Sequence, residues 1–192
     1  VTDGNEIHFD PRRENQRGGL VLYNGIVYIP YAGHCDMNNY HGWILGYDAD
    51  NIQNQVIRYV TTPNNGRGGI WMSGAAPAVD ADGNLYFASG NADEASLGTE
   101  EGNVGLSVVK AAPDLTNSTL KNLAWFQPMS YKNYNSGDLD FGTGVLLIPN
   151  TDMLVTAHKS GNLVLLNQNA NGNYDDSSGS FLATYSLGGS QT

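Results

Sequence analysis

Gly42-Trp43-Ile44-Leu45-Gly46-Tyr47-Asp48 decides the fold. A glycine opens a short apolar strand, and a polar turn closes it. Two further stretches read the same way, Gly105-Leu106-Ser107-Val108-Val109-Lys110 and Gly161-Asn162-Leu163-Val164-Leu165-Leu166-Asn167. Each follows an apolar hairpin strand and precedes a turn rich in Gly, Asn, Asp or Pro. A strand word that recurs after some tens of residues marks a repeat architecture, in which each unit buries its faces only against its neighbours.

Around the first copy, residues 20–23 form a strand, and Asn24-Gly25 makes a two-residue turn that needs positive φ at both positions. Residues 26–29 return antiparallel, the copy itself is the third strand (43–47), and residues 56–61 are the fourth. In the second unit, residues 70–72 and 76–79 share one glycine-interrupted strand region. Asp80-Ala81-Asp82-Gly83 turns, and residues 85–88 return. Residues 106–109 and 123–126 follow as third and fourth strands, with a turn or one loose helical turn over 113–122. Gly25 and Gly83, like Tyr28 and Tyr86, stand 58 residues apart, so the two hairpins register without a gap. The third unit has strands at 145–148, 152–156, 163–166 and 181–185, with polar loops over 130–140 and 167–180. No segment sustains a 3.6-residue period with caps.

Three successive units of four short strands predict an all-β fold: a β-propeller segment of about three four-stranded antiparallel blades, part of a larger propeller. The blades are expected at 17–63, 64–128 and 129–186, with 1–16 a linker or the end of a preceding blade and 187–192 a linker. The glycines at 18–19, 68–69, 142 and 144 open the units, where neighbouring blades crowd near the axis.

Composition narrows the function. The formal net charge of the 192 residues is -10, which argues against a duplex nucleic-acid surface and against docking on anionic lipid. No apolar run approaches the roughly 18 residues of a spanning helix, so no membrane insertion is expected. Cys35 is the only cysteine, which excludes an internal disulfide and any CxxC site. The chain begins at Val1 without Met. The expected partners are therefore the remaining blades, from a longer chain or another chain, together with protein or glycan.

Arg17, Trp71, Asn91 and Asp140 stand next to the inner-strand ends. In a propeller these converge at an axial mouth where ligands enter. Trp71 there either stacks on a sugar or planar ring or packs between blades, and Arg17 either meets a ligand or pairs with a carboxylate. His34, Cys35, Asp36 and His41 form a second cluster. Imidazole, thiolate and carboxylate all suit zinc or copper, yet the spacing fits no compact motif, and both histidines can instead bond loop backbone. Cys35 reads as a buried small hydrophobe, as no oriented base accompanies it. His158-Lys159 is either a further polar rim group or a solvated turn. Asp80-Ala81-Asp82-Gly83-Asn84 lacks the acidic twelfth residue of a calcium hand and reads as a hairpin turn. Asp93, Glu94, Glu100 and Glu101 form an acidic loop, weakly suited to calcium or simply solvated. No two carboxylates can be set across a cleft, as glycoside hydrolysis requires.

The stretch from Arg17-Gly18-Gly19-Leu20 to Tyr28, with Tyr40-His41-Gly42-Trp43-Ile44-Leu45-Gly46-Tyr47-Asp48, resembles the bacterial pyrroloquinoline-quinone-like propeller repeat family. So do Gly69-Ile70-Trp71-Met72-Ser73-Gly74, Pro77-Ala78-Val79-Asp80 and Gly83-Asn84-Leu85-Tyr86. The resemblance implies an exported, secreted or periplasmic protein. It also implies one of two functions, a non-enzymatic module or a quinoprotein dehydrogenase. The dehydrogenases' blade-locking Ala-x-Asp-x-x-Thr-Gly-x-x-x-Trp word is incomplete here, at residues 47–59 and 114–125. Their vicinal cysteine pair is missing, and no residue matches their calcium ligands or catalytic Asp. The expectation is a non-catalytic binding or scaffold module without cofactor or metal. The alternatives are a quinone-dependent oxidoreductase domain using pyrroloquinoline quinone with calcium, and a carbohydrate-binding propeller, to which Trp43, Trp71 and the many tyrosines point.

Overall fold

The computed structural model describes residues 2, 3, 6–36, 40–93 and 102–187. Glu94, Glu100 and Glu101 of the acidic loop, and residues 188–192, lie outside them.

Two short strands, β1 (Thr2–Asp3) and β2 (Glu6–Ile7), pair with each other. The first large sheet holds β3 (Glu14–Asn15), β4 (Val21–Tyr23), β5 (Ile26–Gly33), β6 (Trp43–Asp48) and β7 (Gln55–Val60). The second holds β8 (Ala78–Val79), β9 (Leu85–Ala88), β10 (Val108–Asp114) and β11 (Thr119–Phe126). A short helix, α1 (Tyr131–Ser136), leads to β12 (Leu146–Leu147), β13 (Met153–His158), β14 (Asn162–Asn167), β15 (Gly172–Tyr174) and β16 (Phe181–Ser186). Of these, β12, β13, β14 and β16 make the third sheet. The strands within it, like β4–β7 and β8–β11, are antiparallel.

The turns follow from local chemistry. Asn24 and Gly25 take φ of 48° and 73°, the pair of left-handed positions that a tight hairpin between β4 and β5 requires. At the equivalent turn of the second sheet, Asp80 accepts hydrogen bonds from the Asp82 and Asn84 N–H groups on Oδ1, and Tyr86 donates its hydroxyl to Oδ2. The carboxylate thus ties its own hairpin, as an Asx turn does.

Strand alternation sets the faces. Tyr28, Ile44, Ile57 and Tyr59 of the first sheet pack on Leu85, Phe87, Val109, Ala111 and Leu120 of the second. The opposite face of the second, with Tyr86, Ala88, Val108 and Phe126, packs on Leu154, Val164 and Leu166 of the third. The middle sheet is covered on both sides, which is why β9 is buried throughout.

Several sequence expectations are corrected. Residues 70–72 are not a strand. Met72, Ser73 and Gly74 take φ of 45°, 48° and 88° in a tight left-handed turn, closed by the Ala75 N–H donating to Met72 O at 2.8 Å. The turn is wedged between two other sheets. A Cβ on Gly19 would lie 2.9 Å from Gly74 O, and one on Gly144 would lie 2.5 Å from Ala75 Cβ. Left-handed backbone at non-glycine residues costs on the order of 1–3 kcal/mol, and full burial of the Met72 side chain offsets it.

Of the two alternatives for residues 113–122, the structure has the plain turn and no helical turn. β10 and β11 run long and meet at a turn over residues 115–118, with Pro113 one residue from the strand end, where a lost ladder bond matters least. The loop at 130–140 contains α1, too short to show a period. It is held by Tyr131 and Tyr134, which pack on Ala92 and Leu106. The 167–180 connection contains β15, which leaves the third sheet and pairs parallel with β11 of the second. Cys35 is exposed rather than buried. Among the described residues, no helix is long and apolar enough to cross a membrane.

Candidate functional site

The ends of all three sheets meet at a cleft of about 400 Å³. The first sheet contributes Asn15, Arg17, Gly33, His34, Cys35 and Asp36, the start of the second Trp71 and Ser73, and the third Asp140, Gly142 and Lys159. Arg17, Trp71 and Asp140, expected at the mouth, are thus brought together, and His34 of the second cluster joins them.

Trp71 forms the cleft's aromatic surface. It rests on two glycines: a Cβ on Gly90 would lie 2.6 Å from its Cδ1, and one on Gly69 would lie 3.0 Å from its Nε1. The edge-on ring of Tyr40 supports it, with centroids 6.1 Å apart. The Arg17 guanidinium carbon lies 5.6 Å from the ring centroid of Trp71, within cation–π range. Among the described residues no carboxylate lies within ion-pair distance of Arg17. The expected Arg17–carboxylate pair is therefore replaced by an aromatic one, and the cation keeps its charge facing the cleft.

Asp140 lies at the back, its side chain 2% exposed. Lys159 Nζ sits 2.8 Å from Asp140 Oδ1 and 2.8 Å from Asp138 Oδ1. The Asn91 N–H donates to Asp140 Oδ2 at 3.2 Å, and the Asn91 side-chain amide donates to Asp138 Oδ1 at 2.9 Å. Burial pushes the Asp140 carboxyl above its ordinary range, against Lys159 and the Asn91 N–H, which favour the ionised form. Burial also opposes the Lys159 ammonium, but the two carboxylates outweigh it and hold its pKa above the usual value. Lys159 is thus an exposed turn residue at the cleft whose ammonium is held by both carboxylates. Its neighbour His158 is buried at the end of β13 between the rings of Tyr134 and Phe141. Asn91 sits inside the cleft wall and positions Asp140 without lining the opening.

The His34–His41 cluster is not assembled. His34 and Cys35 are exposed at the cleft rim. Asp36 accepts a hydrogen bond from the Tyr40 hydroxyl. His41 is 1% exposed, away from the rim, with Nδ1 3.1 Å from both the carbonyl oxygen and the hydroxyl of Thr62. Among the described residues no three His, Cys, Asp or Glu side chains converge as a metal site would need. Trp43 is only 7% exposed, packed against Phe9 and His41, and has no free face for a sugar.

Burial lowers the His41 pKa to about 4. The unfolded value is near 6.5, so on acidification the unfolded chain takes up the proton first. The neutral imidazole therefore contributes fully above about pH 6.5, and that contribution fades as the pH falls towards 4, by up to about 3 kcal/mol. Thermal melts from pH 7 to 4 should show a falling midpoint, with a shallower slope in a His41→Gln chain. Asp140, whose carboxyl is raised, works in the opposite direction over the lower part of that range.

Comparison with known proteins bears on this architecture. No family model matches the chain, and no curated protein matches it. Seven solved chains match, among them a quinohemoprotein alcohol dehydrogenase from Pseudomonas putida HK5. The superposition has a TM-score of 0.63 at 16% sequence identity and covers 94% of this chain. This chain spans only 29% of that chain's length. That neighbour is a propeller protein, and the three sheets described here are propeller blades. At 16% identity the likeness extends to the fold alone.

Proposed function

We propose that the chain is a binding module whose cleft takes a polar ring ligand bearing a carboxylate. One observation carries this reading: an Arg17 guanidinium with no carboxylate partner among the described residues, held 5.6 Å from the Trp71 ring centroid in a cleft where three sheets converge. Guanidinium matches a carboxylate through two parallel hydrogen bonds, and indole offers a flat apolar face to a sugar or planar ring. Asn15, Ser73 and His34 stand along the same opening as hydrogen-bonding groups for hydroxyls. No nucleophile with an oriented base is present among them, which favours binding over catalysis.

The test is titration with uronate-containing and neutral oligosaccharides, read by tryptophan fluorescence and calorimetry. Saturable binding of the acidic ligand is expected. Arg17→Ala should weaken it by about 1.5–3 kcal/mol, the range of a hydrogen bond to a charged group. Trp71→Ala should abolish the fluorescence response. Equal affinity for acidic and neutral sugars, or an unchanged affinity in Arg17→Ala, would remove the reading.

A second reading, a quinone-dependent oxidoreductase domain, is favoured by the structural neighbour alone. Calcium takes six to eight oxygen ligands. The cleft's buried carboxylate, Asp140, already faces the Lys159 ammonium at 2.8 Å, which a second cation would have to displace. The other lining carboxylate, Asp36, is engaged by Tyr40. This donor set does not fit a calcium-held quinone, so no step through that cofactor is derived. Dye reduction with alcohols after addition of pyrroloquinoline quinone and calcium would overturn the binding reading.

A further inference from the structure

The outer edge and one face of the first and of the second sheet are covered by the sheet that follows in the chain. At the edge of the first sheet, the Arg58 N–H of β7 donates to Ser118 O at 2.9 Å, and the Thr119 hydroxyl donates to Arg58 O at 2.9 Å. Ser118 ends the turn between β10 and β11, and Thr119 opens β11. At the edge of the second sheet, β15 pairs with β11 over residues 172–174, and the Gln127 N–H donates to Tyr174 O at 3.0 Å. That strand comes from the passage between β14 and β16. In both cases the connection between the third and fourth strands laps over the preceding sheet.

The faces repeat the rule. Tyr28 and Tyr86, each 1% exposed, are buried respectively by the second and by the third sheet. In the third sheet Leu154, Val164 and Leu166 point back into the core. Alternation turns Val155, Leu163 and Leu165 the other way. Register adds Leu146 opposite Val155 and Tyr185 opposite Leu163. None of these five belongs to a buried cluster. Leu146 is 61% exposed and Tyr185 57%. Beyond β16 no further strand pairs, among the described residues. At the opposite end, Val27 and Ile29 stand 58 residues ahead of Leu85 and Phe87, the residues with which the second sheet packs on the first. The connection between β6 and β7 carries Ile52, 73% exposed, at the place from which the other sheets' connections lap over a neighbour.

We infer that the bare face and edge of the third sheet form a docking surface for another sheet of this same repeat, and that the first sheet of a second copy of the chain fills it head to tail. Val27 and Ile29 of the copy meet Val155 and Leu165, and the copy's β6–β7 connection covers β16. The contact reproduces the two sheet-to-sheet interfaces already present in the chain. It satisfies an open strand edge that would otherwise recruit partners less selectively. Such a head-to-tail contact closes into a ring or continues as a filament, according to the rotation between copies.

The test uses the 192-residue chain itself, followed by light scattering and sedimentation over a range of concentrations. Mass should rise with concentration. Leu165→Glu and Ile29→Glu should each be monomeric while keeping the wild-type circular dichroism spectrum and melting point. Each variant retains one intact surface, so an equal mixture should form a complex of two chains and no more. If Leu165→Glu lowers the melting point, Tyr185→Lys repeats the test from an exposed position. A wild-type chain that stays monomeric to its solubility limit overturns the proposal. Variants that still self-associate, or a mixture that does not combine, also overturn it.

Discussion

Gly42→Ala should lower stability by about 3 kcal/mol or more, enough to unfold much of a marginally stable chain. A Cβ at this position would lie 2.0 Å from Gly68 O and 2.7 Å from Thr61 Oγ1. Neither neighbour can yield. The Gly42 N–H donates to Arg67 O at 3.1 Å, Gly42 O accepts the Thr61 N–H at 3.0 Å, and the Thr61 hydroxyl donates to Gly68 O at 2.8 Å. The methyl group would therefore push apart backbone that is hydrogen-bonded on every side. Denaturant unfolding measures the loss. Gly179→Ala is the matched control, since a Cβ there meets nothing within 4 Å, and it should stay within about 0.5 kcal/mol of the parent.

The second large effect is expected at Phe126. This residue of β11 is 1% exposed. Its ring stacks on Phe181 with centroids 5.8 Å apart, tilts against Tyr174 at 5.5 Å, and meets Phe141 edge-on at 6.3 Å. Phe126→Ala should cost about 3–5 kcal/mol, through lost transfer energy and the cavity left behind. The damage should extend beyond one contact, because Phe126 also pairs in register with Tyr174 of β15. Hydrogen exchange should accelerate across residues 172–174 and 181–186 together. If the loss stays below about 1 kcal/mol, the second and third sheets are not held by this cluster.

The parts of the fold legible in the sequence are those fixed locally. Asn24-Gly25 reads as a turn because few residue pairs tolerate two left-handed positions, and the 58-residue match between hairpins reads as a repeat because packing demands it. What escapes is set by distant neighbours. The left-handed turn at Met72 and Ser73 exists because Gly19 and Gly144 crowd it from two other sheets. β15 has no apolar pattern of its own, since its partner supplies the ladder. At the cleft, Arg17, Trp71 and Asp140 are legible as residues near strand ends. Their pairing is not: Lys159 meets Asp140, and Arg17 meets Trp71, only once three sheets converge. His41 carries a ligand-like side chain, yet its surroundings make it a buried neutral group.

The parallel lap of β15 over β11 has a consequence for synthesis. Residues up to 126 leave the ribosome with the β11 margin still lacking its last ladder, and translation at ~5–20 residues per second delays Gly172–Tyr174 by a few seconds. For that interval the nascent polypeptide displays an unfinished template for intermolecular pairing. A chaperone acting on this protein would meet its most vulnerable form then, before the last hairpin has emerged.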